Sequence, residues 1–176
     1  MVLQENVKIS FIQEEDATAF WAMIESNKEH LKVYFPKTLS QLTDLAATQR
    51  FVKEKVSQLE TDSGAYFLIK VDAAVIGVIS AKNLDWSVPK CEIAYFVDQH
   101  YQGQGITTQA VAWLVHYCFH EIKLEKVYAR VSPTNFGSRK VLTKNGFTLE
   151  GLHQKDYRDG EGNLIDTEYY GKIREL

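Results

Sequence analysis

A chain of 176 residues with 45% hydrophobic and 24% charged residues has ordinary globular composition and enough length to bury one sizeable core. A net charge of −3 and a pI near 6.0 exclude broad electrostatic capture of nucleic acid, so no direct nucleic-acid partner is expected. Residues 1–6 carry no basic segment followed by an apolar stretch, and no later run reaches membrane-spanning length, which predicts a soluble, cytoplasmic protein without membrane contact.

Val7, Ile9 and Phe11 alternate with polar neighbours and predict a first strand; a helical pattern runs from Glu14 to Met23. Residues 28–60 read as helix in two pieces, broken near Tyr34-Phe35-Pro36 because proline disfavours helix in the residue before it. Two apolar runs, Ala65 to Val71 and Ala74 to Ala81, flank Asp72-Ala73 as a hairpin, and Leu84 to Pro89 is a loop carrying Trp86. In the next strand, Cys91 to Val97, the period of two puts Glu92, Ala94 and Phe96 on one face and Cys91, Ile93, Tyr95 and Val97 on the other.

Ala110, Val111, Leu114, Val115, Cys118, Phe119 and Ile122 form an apolar stripe on a helix over 106–122, suited to packing on a sheet. Lys126 to Val131 follows as a strand, then a helix from Asn135 to Asn145 ended by Gly146 as a left-handed cap. Phe147 to Ile173 alternates around Asp159-Gly160-Glu161-Gly162-Asn163, a hairpin signal. Without repeat, low-complexity stretch or linker, one mixed α/β domain over 1–176 is expected, with Cys91 and Cys118 as buried free thiols.

The segment Gln102-Gly103-Gln104-Gly105-Ile106-Thr107 joins strand to helix. Its glycines let main chain approach a ligand, and the helix start offers unpaired N–H groups to an anion. A plain turn accounts for two glycines equally well. A dinucleotide fingerprint would need a third glycine, and a nucleotide P-loop would need Lys-Ser or Lys-Thr; neither is present. His116 and His120 lie four apart on a helix with no third ligand or His-Glu-x-x-His pattern, so no metal is expected.

In order, the strand Glu92-Ile93-Ala94-Tyr95, the loop Gln102-Gly103-Gln104-Gly105-Ile106, Asn135-Phe136-Gly137-Ser138 and Asn145-Gly146-Phe147 through Gly151 resemble the GNAT superfamily of acetyl-CoA-dependent N-acetyltransferases. Within it they are most similar to the RimJ/RimL branch, the ribosomal-protein N-terminal acetyltransferases. The resemblance spans almost the whole chain. It implies an α+β GNAT fold: a single mixed, mostly antiparallel twisted sheet flanked by helices. Ala94 replaces the usual strand glycine, and Thr107 stands where Gly or Ala is frequent. Tyr157 occupies a position where some members carry a glutamate proposed as general base; Asp156 beside it would face the other way in a regular strand.

The resemblance further implies acetyl-CoA as co-substrate, its pyrophosphate held by Gln102, Gly103, Gln104, Gly105, Ile106 and Thr107. The oxyanion would meet main-chain N–H groups near Tyr95, Phe96 and Val97, provided the sheet opens there. Glu92 is the candidate general base, direct or through water, or else a structural carboxylate paired on the strand face. Ser138 is the candidate donor to the leaving sulfur, or a helix-end hydrogen-bonding residue; Asn135 is an N-cap, a cofactor ligand, or both. Arg139, Lys140 and Lys144 meet the cofactor's 3′-phosphate, form a solvated helix face or, as a third option, contact an RNA or ribosomal partner. Trp21, Tyr34, Phe35, Trp86 and Tyr157 are candidates for the acceptor pocket or for core packing.

The reading is therefore an acetyl-CoA-dependent N-acetyltransferase that acts by direct attack of a primary amine. The nearest resemblance implies the N-terminal α-amine of a protein such as a ribosomal protein. The same machinery would serve a small-molecule amine such as a polyamine, amino sugar or amino acid. A catalytically weak acyl-CoA-binding sensor is the alternative of a different class. Related enzymes often form dimers, so a homodimer is one expected assembly.

Overall fold

The computed structural model describes residue 4 and residues 6–175; the other residues of the N-terminal hexapeptide read above lie outside that range. Alternating stretches become strands β1 (Val7–Phe11), β2 (Ala65–Val71), β3 (Ala74–Asp85), β4 (Lys90–Val97), β5 (Lys126–Val131), β6 (Thr148–Arg158) and β7 (Leu164–Ile173). They form one seven-stranded sheet in the order β1-β2-β3-β4-β5-β7-β6. Every neighbouring pair is antiparallel except β4 and β5, as a mostly antiparallel mixed sheet requires.

The helices are α1 (Ala17–Ser26), α2 (Lys28–Tyr34), α3 (Pro36–Gln41), α4 (Leu45–Glu60), α5 (Ile106–His116) and α6 (Phe136–Lys144). The first helical pattern thus starts later than expected, behind a 3-10 turn over Glu14–Asp16. The break at Pro36 falls where expected, with proline in the first turn of α3. A second break divides 28–60 into three helices rather than two, because the Asp44 carboxylate accepts the Ala47 N–H at 2.7 Å and starts α4 afresh. The stripe over 106–122 leaves α-geometry after His116 and finishes in a π turn over Tyr117–Glu121. β3 extends to Asp85, past the expected end of its run.

The period of two in β4 sorts its side chains between two cores. Cys91, Ile93 and Val97 pack with Ala110 and Leu114 of α5, with Cys118 of the π turn that follows it and with Leu142 of α6. Phe96 joins Phe20 and Ile24 of α1, Leu31 of α2 and Val52 of α4 on the opposite face. Each such fully buried apolar side chain contributes about 1.5–3 kcal/mol, so both faces hold β4 in register. Cys91 and Cys118 are free and buried, with sulfurs 3.8 Å apart. Their mutual hydrogen bond and burial push the Cys118 thiol far above its ordinary range, which makes it unreactive.

α6 ends as expected on Gly146 (φ +75°), with Phe147 N–H donating to the Leu142 carbonyl at 3.1 Å. The β6–β7 hairpin closes on the Asp159 carboxylate, which accepts the Asn163 N–H at 2.8 Å. A Cβ on Gly160 would lie 2.1 Å from the Lys32 carbonyl oxygen, so only glycine lets this tip rest on α2.

Candidate active site

β4 and β5 pair only through Lys90↔Lys126, Cys91↔Val127 and Glu92↔Tyr128, and then part. On its other side β4 stays paired with β3 as far as Gly77↔Val97. Asp98 N–H donates to the Ile76 carbonyl at 2.7 Å, and alternation along an antiparallel pair turns the polar main chain of Phe96 and Ala94 to β3 as well. The N–H and C=O groups of Tyr95 and Val97 therefore face the gap, with no strand partner there among the described residues. Phe96 borders the same groove, but its main-chain groups are taken by β3.

The gap opens beside the starts of α5 and α6. Gly103 (φ +74°) and Gly105 (φ +81°) hold the left-handed conformations that swing the chain into α5. Gln109 N–H is the first to find a helical acceptor, the Gly105 carbonyl at 3.1 Å, which leaves the N–H groups of Ile106, Thr107 and Thr108 ahead of it. Two bridges tether this loop to the α1–α2 junction. The Asn27 amide donates to Asp98 at 2.8 Å, and Gln102 Nε2 lies 2.9 Å from His30 Nε2. Burial pulls the Asp98 carboxyl upward, but hydrogen bonds from Asn27 and His100 outweigh it and hold the group below the ordinary carboxylate range.

Gap, loop and helix starts border one groove of about 720 Å³. It brings together Glu92, Phe96, Val97, Gln102, Gly103, Gly105, Ile106, Thr107, Asn135 and Ser138. Gln104 does not border it: the side-chain amide turns back and donates to the His100 carbonyl at 3.1 Å. Lys140 and Lys144 border the groove, whereas Arg139 is drawn away by Glu168 at 2.9 Å. Among the aromatic candidates, Tyr34, Phe35 and Tyr157 border it. Trp21 packs into the α1 core, and Trp86, half exposed, donates to the Asp62 carbonyl at 3.0 Å.

Asn135 caps α6, its side-chain oxygen accepting the Ser138 N–H at 3.0 Å. Ser138 Oγ lies 2.8 Å from the Tyr95 hydroxyl, so a pair of hydroxyls bridges the gap from α6 to β4. Burial drives the Tyr95 phenol above its ordinary range, against the opposing Ser138 hydrogen bond, and keeps it protonated. Tyr95 falls on the core-facing side of the β4 pattern; nothing in that pattern separates it from Cys91 or Ile93.

Glu92 is buried, with 4% of its surface exposed, at the last β4–β5 pair. It accepts from Arg130 Nε at 3.1 Å, Arg130 Nη2 at 3.2 Å and Asn83 Nδ2 at 2.8 Å, while Lys82 Nζ stands at 3.4 Å. A carboxylate offers about four lone-pair sites; three hydrogen bonds engage this one, and Lys82 adds an ion pair. The geometry therefore favours the paired, structural alternative for Glu92. Arg130, Lys82 and Asn83 carried no motif; they come to Glu92 only through strand pairing, with Lys82 opposite Glu92.

The expected direction of Asp156 is overturned. A bulge between His153 and Tyr157, with Lys155 at φ +51°, breaks the alternation. Asp156 then accepts from the Thr167 hydroxyl at 2.6 Å and lies 3.8 Å from Arg130, on the same face as Tyr157. Thr167 borders the groove and Asp156 does not. Tyr157, its phenol raised mainly by burial, donates to the Tyr34 carbonyl at 3.4 Å and ties β6 to the end of α2.

A sheet parted between its two parallel strands, with a glycine loop and helix start at the opening, defines an α/β protein built to hold an extended, anionic ligand. Residues 6–148 match the family described as the acetyltransferase (GNAT) domain, and the chain belongs to that family. It is 28% identical over 161 residues to the probable N-acetyltransferase YjcK of Bacillus subtilis, covering 90% of this chain and 89% of that one. It is 27% identical over 158 residues to the ribosomal-protein-serine acetyltransferase of Escherichia coli, covering 88% and 87%. The crystal structure of ribosomal-protein-S5-alanine acetyltransferase from Vibrio fischeri shares the fold, with a TM-score of 0.93, 24% identity and 99% and 96% of the two chains covered. The protein is thus a GNAT N-acetyltransferase, and GNAT acetyltransferases use acetyl-CoA. No helix among the described residues is long and apolar enough to cross a membrane.

Proposed function

We propose that this N-acetyltransferase modifies the α-amine at the N-terminus of a protein, a ribosomal protein in the first instance. The observation that carries the acceptor class is the engagement of Glu92 by Arg130, Asn83 and Lys82. With three hydrogen bonds and an ion pair holding the carboxylate, Glu92 is a poor base for the acceptor's proton, and the acceptor has to arrive with a neutral nitrogen. An α-amine of pKa about 7.7–8.0 is neutral in about one molecule in ten at pH 7, whereas a lysine amine near 10.4 is neutral in fewer than about one in a thousand. The similarity to the ribosomal-protein-serine acetyltransferase of Escherichia coli supports the same choice.

The donor set fits acetyl-CoA, which supplies an acetyl thioester. The main chain at Gln102, Gly103 and Gly105 and the first N–H groups of α5 suit its pyrophosphate. Tyr95 and Val97 offer main-chain hydrogen bonds to an extended arm and to a developing oxyanion. Ser138 donates to the departing sulfur, and the Tyr95 hydroxyl, 2.8 Å from Ser138 Oγ, positions it. Glu92 holds Arg130 at the floor, and Tyr157 holds the hairpin over the acceptor end.

The test is an acceptor panel read by mass spectrometry: peptides with free N-termini, N-terminally blocked peptides containing lysine, a polyamine and an amino sugar. A gain of one acetyl group at free N-termini is expected. Equal turnover of blocked lysine peptides or the polyamine would sink the α-amine reading, and acetyl-CoA binding without any acceptor would mark a sensor. Glu92→Gln is expected to leave the pH profile of kcat in place; loss of its alkaline rise would restore Glu92 as the base.

A further inference from the structure

A second cavity, of about 210 Å³, opens beside the groove on the α3–α4 face of the sheet. The two share Phe35, Thr38, Lys82, Ala94, Tyr95 and Phe96 as walls, so the smaller is a side chamber of the acceptor end. Its remaining walls include Phe51 of α4 and Tyr66 of β2, which meet edge to face at 5.8 Å and 85°. Phe20 meets the same tyrosine at 6.3 Å and 78°, which fixes the ring from behind. The short side chains of Ala94 and Ser80 leave the space that larger strand residues would fill.

The chamber is too small for a ligand pocket of about 300–1,000 Å³ and large enough for one side chain. Two hydroxyls border it, neither of them both sealed from solvent and unpartnered. The Tyr66 hydroxyl has no hydrogen bond among the described residues, and burial drives its phenol above the ordinary range. The buried Ser80 hydroxyl reaches only the Ala94 carbonyl, at 3.4 Å.

Resting on the α-amine reading, we infer that this chamber is the specificity pocket for an aromatic or branched apolar side chain in the first or second residue of the acceptor. Aromatic walls reward apolar area, and both lysines nearby are already engaged by Glu54 and Glu92, so no free charge invites an ionic side chain. The chamber adjoins Tyr95, so a side chain seated in it leaves its amine at the gap.

The experiment compares peptides that differ only in residue one or residue two, carrying Gly, Asp, Leu or Phe, in the full-length protein. At one of the two positions kcat/KM for Leu or Phe is expected to exceed that for Gly by about tenfold or more, the discrimination that apolar pockets reach. Ser80→Leu, which fills the floor, is expected to erase that preference while turnover of the Gly peptide and affinity for acetyl-CoA stay within about twofold. Equal kcat/KM across the wild-type series, or a preference for Asp, overturns the pocket and leaves the α-amine reading standing. Turnover of no peptide overturns both. The wild-type series decides the matter even if Ser80→Leu does not fold.

Discussion

At the end of the groove proposed to hold the cofactor, the groups on offer are main-chain ones: the N–H groups at the start of α5, two left-handed glycines and the parted edge of β4. At the acceptor end they are side chains drawn from distant strands, with Glu92, Arg130 and Lys82 interlocked and Tyr157 latched to α2. Main chain can present donors to phosphate whatever the neighbouring side chains are. A carboxylate's availability as a base depends on every donor that reaches it. The first end therefore depends on main-chain conformation, and the second takes its chemistry from its partners.

The largest expected effect tests where the two ends meet. Ser138→Ala should lower kcat about 100-fold with little change in affinity for acetyl-CoA, as loss of one oriented donor does elsewhere. Tyr95→Phe should cost about tenfold alone and little more in the Ser138→Ala background, because the phenol acts through the serine. Equal losses in both backgrounds, read by steady-state kinetics, would break the hydroxyl pair apart.

Arg130→Met sharpens the side-chain half of the contrast. Breaking a buried pair costs about 3–5 kcal/mol; with 32% of the Arg130 side chain exposed, about 2 kcal/mol is expected, a fall of roughly 4–8 °C in Tm by calorimetry. Affinity for acetyl-CoA should hold, since Arg130 serves the other end. Gly105→Val tests the main-chain half: at φ +81° a β-branched residue is strained by about 1–3 kcal/mol, and coenzyme A should bind about tenfold more weakly in a titration. An unchanged Kd would remove the loop from the anion site.

The smallest effect concerns the tether between the loop and α2. Asp98 is held below its unfolded pKa of about 3.9, so its contribution to stability is present above that pH and is lost as pH falls through the lower folded value. Asp98→Asn should flatten acid destabilisation below about pH 4 in denaturant melts. An unaltered acid limb would show that the tether carries none of it.

Much of this fold is legible in the chain because its signals are local. Period-two alternation marks β4 and sorts Cys91 from Phe96, Pro36 marks a helix break, and Gly146 marks a helix end. The break at Asp44 was missed because one capping aspartate after Thr43 looks like any polar residue in a helix. The turn of Asp156 was missed because a bulge defeats the alternation used to assign it. Gln104 and Arg139 fit the motif or the charge pattern, yet the His100 carbonyl and Glu168 claim them.

The sequence by itself determined the strand and helix order, the glycine loop ahead of α5 and the Asn135–Ser138 helix start, since each depends on residues within a turn or two of one another. Tertiary structure alone decided that β4 and β5 part after Glu92, that Tyr95 meets Ser138 and that Lys82 and Asn83 of β3 and Asp156 at the β6 bulge converge on Arg130 and Glu92. Those contacts join residues tens of positions apart, and an ionisable group takes its role from such neighbours, which no local pattern contains.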